Sequence, residues 1–208
     1  MKGILLKPDL IRATVEGRKT HTRRLRGLEK INECPDDWEL ENPEYAITIP
    51  EGAFVFRNRT NELVMVKPYV KIGETAYIKE AWRFFGWDYE EGQFRLEYKD
   101  GGVGIWLCLT EEIFGKYWYA GIDLQDDKWR PPLFMPEFAS RHKVNFLSAV
   151  PKRLHDMTEE DIKAEGFDGN YTNIGYYYVF GQAWNSMNPD HTWDKNEWVI
   201  DYGFRLEK

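Results

Sequence analysis

The stretch EGRKTHTRR, residues 16–24, places four Lys/Arg side chains and one histidine around two threonines. A threonine hydroxyl becomes a nucleophile when a base takes its proton, and a lysine can be that base when burial or nearby cations lower its pKa. Adjacent arginines match a phosphate edge through the guanidinium fork. The stretch therefore predicts an anion or nucleotide site in which a lysine and a threonine are the candidate reactive groups.

A structural role explains part of the same pattern. PDLIRATVEG predicts a helix that begins at Pro8 and stops at Gly17, with Leu10, Ile11 and Val15 on its buried side. Cations at a helix carboxyl end stabilise the helix dipole.

The dipole accounts for Arg18 and Lys19 but not for Arg23 and Arg24. Thr22 on a strand could equally be a hydrogen-bonded structural residue. Both explanations stay open at this point.

The charge distribution singles out the amino-terminal segment. Residues 1–30 hold nine of the 28 Lys/Arg and three of the 35 Asp/Glu, so the rest of the chain holds 19 basic and 32 acidic residues. A chain of net charge −7 is not a general nucleic-acid coat. A basic patch on an acidic protein indicates a confined anion site.

Composition excludes several classes of protein. The two cysteines, Cys34 and Cys108, offer neither a disulfide framework nor zinc spacing, and the four histidines show no metal-binding motif. We predict no metal and no cofactor. The sequence has no apolar run long enough to span a membrane, and a reducing cytoplasm is the expected location.

Periodicity predicts an α+β chain in which strands outnumber helices. Gly166 is expected to stop a helix that Thr158 caps. The expected strands, hairpin and second helix lie in these stretches: GILLK, FVFRNRTNELVMVKP with its turn at 59–61, GETAYIKEAW after a turn at Gly73, VNFLSAVPKRL, MTEEDIKAEGF (the helix) and EWVIDYGFRLEK. We expect residues 26–52 to be a surface excursion, and residues 83–130 show no clear pattern. One domain, 1–208, is predicted, with these two segments as insertions.

Several blocks together resemble the ASCH domain family of the PUA-like superfamily, in particular the longer members common in phages and prophages. They are GRKTHTRR, KIGETAYIKEAW, WRPPLFMPEFASR, LHDMTEEDIKAEGF and WNSMNPDHTWDKNEWVIDYGFRLEK. The resemblance covers about half of the chain. It implies a PUA-like mixed β-barrel flanked by short helices, with long insertions and a cleft for RNA or a nucleotide. Gly73-Glu74 departs from the family's usual Gly-Asp.

One branch of the family is similar to amidohydrolases that remove the acetyl group of N4-acetylcytidine. Carried over by motif, the resemblance implies Lys19 and Thr22 as catalytic residues, with Thr22 the nucleophile, and Glu165 in KAEGF as the third. A solvated helix glutamate is the alternative for Glu165.

Further residues are candidates for ligand binding. Arg23 and Arg24 suit phosphate, and Trp82 and Trp129 could stack on bases, although core packing is the alternative for each tryptophan. The complete expected set is Arg18, Thr20, Arg23, Arg24, Lys79, Glu80, Trp82, Trp129 and Arg130.

Three functions follow from these expectations. The first is a module that binds RNA or a modified nucleoside, and the second is an amidohydrolase acting on an acylated nucleobase. The third, carried by the insertions, is a phage protein that binds a host protein. No membrane partner is expected.

Overall fold

The computed structural model describes residues 1–41, 52–88, 90–101, 104–108, 110–118, 128–169, 171 and 175–207. Residues 42–51 of the first expected insertion, and 89, 102, 103, 109 and 119–127 of the second, lie outside this description. The described residues form a mixed α+β protein rich in strands, which confirms the expected class.

The elements are given in chain order. The strands are β1 (Lys2–Leu5), β2 (His21–Arg24), β3 (Trp38–Leu40), β4 (Phe54–Asn58), β5 (Leu63–Val66), β6 (Thr75–Lys79), β7 (Trp82–Asp88), β8 (Gln93–Tyr98), β9 (Ile105–Cys108), β10 (Lys143–Arg153) and β11 (Trp198–Leu206). The α-helices are α1 (Pro8–Val15), α2 (Glu29–Asn32), α3 (Glu111–Trp118), α4 (Glu159–Ala164) and α5 (Tyr176–Met187).

The chain divides into two compact units, each assembled from segments far apart in sequence. The first comprises Met1–Arg12 and Thr75–Val144, with Glu207. The second comprises Ala13–Glu74 and Asn145–Leu206.

In the first unit, β1 pairs with β6 in parallel, with Ile4 opposite Ile78. Both side chains are buried, as is Ala76, so the two predicted strands are confirmed. Parallel strands are buried on both faces as a rule, which is why both stretches are short apolar runs.

The same unit contains an antiparallel sheet in the order β7-β8-β9. Along β8, Phe94, Leu96 and Tyr98 are buried and alternate with partly exposed residues. These three pack in a core with Trp82, Phe84, Met135 and Ala139. The register slips between Phe84 and Gly86, and this irregularity interrupts the alternation that would have revealed β7 in the sequence.

In the second unit, β11 lies between β10 and β2. It pairs antiparallel with β2, with Tyr202 opposite Thr22 and Asp201 opposite Arg23. Ile200, Asp201 and Tyr202 are all buried, so both faces of β11 are covered. The sequence predicted the strand, but not the burial of the face that carries Asp201.

The second unit also holds the sheet β3-β4-β5. Its predicted β4–β5 hairpin is confirmed: Asn61 adopts a left-handed φ of 63°, and Asn58 Oδ1 accepts from the Thr60 and Glu62 amides. Residues 26–52 were expected to lie on the surface. This is only partly so, because Leu28 and Ile31 are buried.

Helix α4 begins at a capping box, in which the Thr158 hydroxyl accepts from the Asp161 amide and the Asp161 carboxylate accepts from the Thr158 amide. Gly166 follows with a φ of 96°, as predicted. Helix α5 was not predicted from the sequence. Ile162 of α4 and Phe180 and Trp184 of α5 share a buried core with Leu154, Met157 and Val199.

Helix α1 forms where predicted, and Gly17 stops it with a φ of 77°. Ile11 is buried, but Val15 is 43% exposed, contrary to expectation. The buried side runs instead through Ala13 and Thr14. None of the helices in the described ranges has the length and apolar character needed to cross a bilayer. The described strands form open sheets rather than a closed barrel.

Candidate active site

The three expected catalytic residues, Lys19, Thr22 and Glu165, lie in the second unit, where β2 meets the end of α4. Thr20 N donates to Ala164 O at 2.8 Å, and Lys19 and Glu165 form a single antiparallel bridge. Because Gly166 ends the helix directly afterwards, Glu165 is held at the helix C-cap beside β2. Backbone bonds therefore bring together two groups that are 146 residues apart.

Lys19 is buried, and its ammonium group is fully occupied. Nζ donates to the Glu165 carboxylate, to Glu165 O at 3.1 Å and to His21 O at 2.6 Å. Three acceptors satisfy the three donors of a lysine. Two of the three expected catalytic residues are thus in direct contact.

Arg23 joins the same cluster from the β2 strand, and its side chain is completely buried. Its guanidinium lies 3.1 Å from Glu165, 3.1 Å from Asp201 and 3.2 Å from Asp161. Three carboxylates surround one cation, so Arg23 has no exposed edge for phosphate, contrary to expectation. We call Lys19, Arg23, Asp161, Glu165 and Asp201 the buried ion cluster.

Three further residues at this site were not singled out by the sequence: Asp161, Asp201 and Lys152. The Lys152 Nζ lies 3.4 Å from the Asp161 carboxylate and 3.4 Å from the Asp201 carboxylate. Asp201 was detectable as the one acid within the apolar strand WVIDYGF. In the described part of the chain, Arg23 Nε and Asp201 Oδ1 are buried without a hydrogen-bond partner.

Burial and charge act in opposite directions on this cluster. Burial lowers the pKa of Lys19 below its ordinary value, and the opposing effect of Glu165 does not restore it. Burial opposes ionisation of Glu165, but the positive charges of Lys19 and Arg23 hold its pKa below the ordinary value. Burial also lowers the pKa of Arg24. The cluster therefore favours an ionised carboxylate and a lysine that gives up its proton more readily than usual.

Thr22 is buried on β2, one residue beyond the His21 carbonyl that Lys19 binds. Because side chains alternate along a strand, Thr22 lies on the face of its partner Tyr202, and Arg23 on that of Asp201. Within the described residues, the Thr22 hydroxyl forms no hydrogen bond to Lys19 or Glu165. The third expected catalytic residue is near in the chain but not in contact.

The other ligand candidates of this unit are less central. Arg18 is exposed and pairs with Glu16, and with Asp168 at 2.8 Å. Thr20 Oγ1 lies 3.1 Å from His21 Nδ1. Arg24 is partly buried.

Lys79, Glu80, Trp82, Trp129 and Arg130 belong to the first unit. Trp82 is 0% exposed and packs in the core, the alternative considered for it above, so it has no free face for a base. Arg130 covers the same ring at 5.3 Å and pairs with Trp82 through backbone bonds of 3.2 and 2.8 Å. Trp129, in contrast, is 40% exposed.

Glu80 is buried and bound by Arg141 at 2.7 Å, which leaves it poorly placed to read a base edge. Arg141 also binds Asp100 at 2.7 Å. Lys79 Nζ donates to Leu133 O at 2.7 Å. Lys79 and Glu80 nevertheless line a cavity of about 250 Å³, together with Leu6, Pro8, Ile11, Ala81, Lys99, Asp100 and Pro132.

No three metal-ligating side chains among the described residues are grouped in a way that could hold an ion.

No protein-family model matches this chain, and no curated protein does. A solved structure, that of protein EF3133 from Enterococcus faecalis V583, assigned to the family DUF984, is similar to it with a TM-score of 0.38 and 10% sequence identity. The likeness covers 99% of this chain and 80% of that one. At this TM-score it supports no argument about fold or function.

Proposed function

We propose that the protein is an ASCH-like module of the PUA-like superfamily that binds a modified nucleoside, free or within RNA, and hydrolyses its N4-acyl amide. The observation that carries the proposal is the buried contact between Lys19 and Glu165. This is the pair that the amidohydrolase resemblance implies, and it comes from segments far apart in sequence.

The chemistry assigns a role to each group. Neutral Lys19 takes the proton of the Thr22 hydroxyl as Oγ1 bonds to the acyl carbonyl carbon. The carbon–N4 bond then breaks, and Lys19 returns the proton to the departing amine. Water attacks the acyl-Thr22 ester, and a carboxylic acid leaves as Thr22 regains its proton. Glu165 orients Lys19 throughout.

These reaction steps require Thr22 and Lys19 to approach each other when substrate binds. Lys19 would exchange its hydrogen bond to His21 O for one to Thr22 Oγ1. Catalytic hydrogen bonds are often longer before substrate binds. The lowered pKa of Lys19 favours the neutral amine that this step needs.

Binding through phosphate alone has less support at this site. Arg23 is enclosed by carboxylates, and Arg18 is paired with Glu16 and Asp168. Glu165 is buried, whereas a module that only binds would tolerate it facing solvent.

The test is to incubate the protein with N4-acetylcytidine and to measure its conversion to cytidine by chromatography. Thr22→Ala should abolish turnover, because no hydroxyl remains to attack the carbonyl. Thr22→Ser should retain it, and Thr60→Ala, in the exposed β4–β5 turn, should leave it unchanged. Without the nucleophile no acyl-enzyme can form, so the loss would be large.

Turnover that survives Thr22→Ala would reject Thr22 as the nucleophile. If the nucleoside binds but is not converted, the binding module replaces the amidohydrolase.

A further inference from the structure

We propose that the solvent-facing side of the sheet β7-β8-β9 binds single-stranded nucleic acid through alternating aromatic rings and arginines. The row runs in the order Trp129, Arg83, Phe85, Arg95 and Trp106. We call it the stacking row. It lies wholly within the first unit and is separate from the residues to which amide hydrolysis is assigned.

The contacts along the stacking row are continuous. The Arg83 guanidinium lies 4.8 Å from the centre of the Trp129 ring and 5.0 Å from that of Phe85. Arg95 lies 5.5 Å from the Phe85 centre and 6.0 Å from that of Trp106. All four distances are within the range of cation–π attraction. Three rings and two cations thus hold one another in place across the three strands.

The rings of the row are not part of the core. Phe85 and Trp106 are each 48% exposed, and Trp129 is 40% exposed. On β8, Arg95 alternates with the buried Phe94 and Leu96, so it stands on the side of the sheet opposite the core. Exposed large rings grouped on one face typically mark an interaction site.

The charge of the row suits a polyanion. Arg83 is paired with Glu97 at 2.9 Å, on the neighbouring strand. Arg95 forms no ion pair within the described residues, and its buried Nε has no hydrogen-bond partner there. The row therefore carries a net positive charge on a protein whose total is −7.

Unpaired bases match this arrangement better than other partners do. Every base offers a π-face to an aromatic ring, and arginine contributes to stacking as well as to phosphate binding. A duplex hides those faces and would offer the row only its phosphates. Trp, Phe and Arg are also enriched in protein–protein interfaces, and self-association through the row is therefore one outcome of the test below.

The experiment uses the full chain and fluorescein-labelled oligo(U) and oligo(dT) of about 12 nucleotides, a length within the usual site size. Fluorescence anisotropy gives the Kd at low salt, and a duplex of the same length is the structural control. Phe85→Ala, Trp106→Ala and Trp129→Ala should each raise the Kd by about 5- to 100-fold, because each removes a stacking surface. Arg95→Lys should also weaken binding, since lysine keeps the charge but loses the plane.

Matched variants separate the row from general effects. Phe134→Ala removes a ring that is 70% exposed elsewhere in the same unit, and Arg59→Ala removes an exposed arginine of the other unit. Neither should change the Kd. All substituted rings are exposed, so the variants should fold, which circular dichroism checks.

Tighter binding of oligo(U) than of oligo(dT) would identify RNA as the preferred ligand of the stacking row, and the reverse would identify DNA. Both outcomes support the proposal. Equal affinity for the duplex, or unchanged Kd values in the three ring variants, would overturn it. So would the absence of binding together with self-association that Trp106→Ala removes, because the row would then join copies of this chain. These outcomes do not depend on whether N4-acetylcytidine is hydrolysed.

Discussion

Glu165 has two cationic partners, Lys19 and Arg23, in a site from which water is largely excluded. Removing one member of such a group leaves the others charged and without compensation. The cost of that loss is much larger than the net value of the intact contacts. At the scale of the residue, the buried ion cluster is therefore as much a condition for folding as a candidate for chemistry.

We expect Glu165→Gln to lower the free energy of unfolding by about 3–5 kcal/mol, because buried Lys19 loses the carboxylate it contacts and buried Arg23 loses one of its three. Urea unfolding followed by tryptophan fluorescence measures this. The matched control is Glu16→Gln, which breaks the exposed pair with Arg18 and should leave stability unchanged. A loss no greater than in the control would show that the cluster is not stabilising.

Stability should fall in acid. The folded state lowers the pKa of Glu165 below the ordinary 4.5, and hydrogen bonding and cations lower that of Asp161 against the effect of burial. A lowered pKa means that the folded state binds fewer protons than the unfolded chain. The contribution is present above the ordinary pKa and is lost as the pH falls through the lowered one.

Urea midpoints between pH 7 and pH 3 test this sign. Asp161→Asn should make the midpoint less dependent on pH below about 3.8, the ordinary pKa of an aspartate, because one carboxylate whose pKa the fold lowers is gone. An identical pH dependence in wild type and variant would contradict the assignment.

At the scale of the element, the sequence predicts local features correctly where a single residue determines the backbone conformation. The Thr158 cap, the Gly166 stop and the turn at Gly73 all depend on neighbours in sequence. The β7-β8-β9 sheet was missed, because the slip at Phe84 and Gly86 breaks the period.

The residues of the candidate site also fall into those that the sequence predicts and those that it does not. Lys19 and Glu165 were found by motif, whereas Asp201 and Lys152 reach the cluster only through strand pairing and folding over long sequence separations. No local pattern encodes such a meeting. Arg23 was read as a phosphate ligand for the same reason, since its three carboxylate partners are far away in the chain.

The capping box predicts how α4 supports the cluster. Thr158→Ala should lower stability by about 1 kcal/mol, and the Tm by about 2–4 °C, because the Asp161 amide loses its acceptor. Thr158→Ser keeps the hydroxyl and should retain nearly all of the stability. A Tm for Thr158→Ala equal to that of wild type, measured by circular dichroism, would show that the cap contributes nothing.

At the scale of the whole molecule, the charge of −7 limits how nucleic acid can bind. An acidic protein repels a polyanion except where cations are concentrated. The stacking row has two arginines, so it can neutralise at most about two phosphates.

The salt dependence of oligonucleotide binding should accordingly be shallow. For two phosphates of a single strand, log Kd should rise with log salt concentration with a slope of about 1.4. Anisotropy titrations at several salt concentrations measure this slope. A slope of about 4 or more would require a much larger basic surface, and so a different site.

Arg23 and Asp201, which are in contact, are separated by 178 residues. At a synthesis rate of about 5–20 residues per second, a ribosome needs roughly 9–36 s to make the carboxylate after the arginine. Until Asp161 and Glu165 have been made, the growing chain carries Lys19 and Arg23 without any of the acids that later enclose them, and Asp201 is the last of the three acids to appear. The second unit can complete its interior only after β11 has left the ribosome, because β11 lies between β10 and β2 and supplies Asp201 to the cluster.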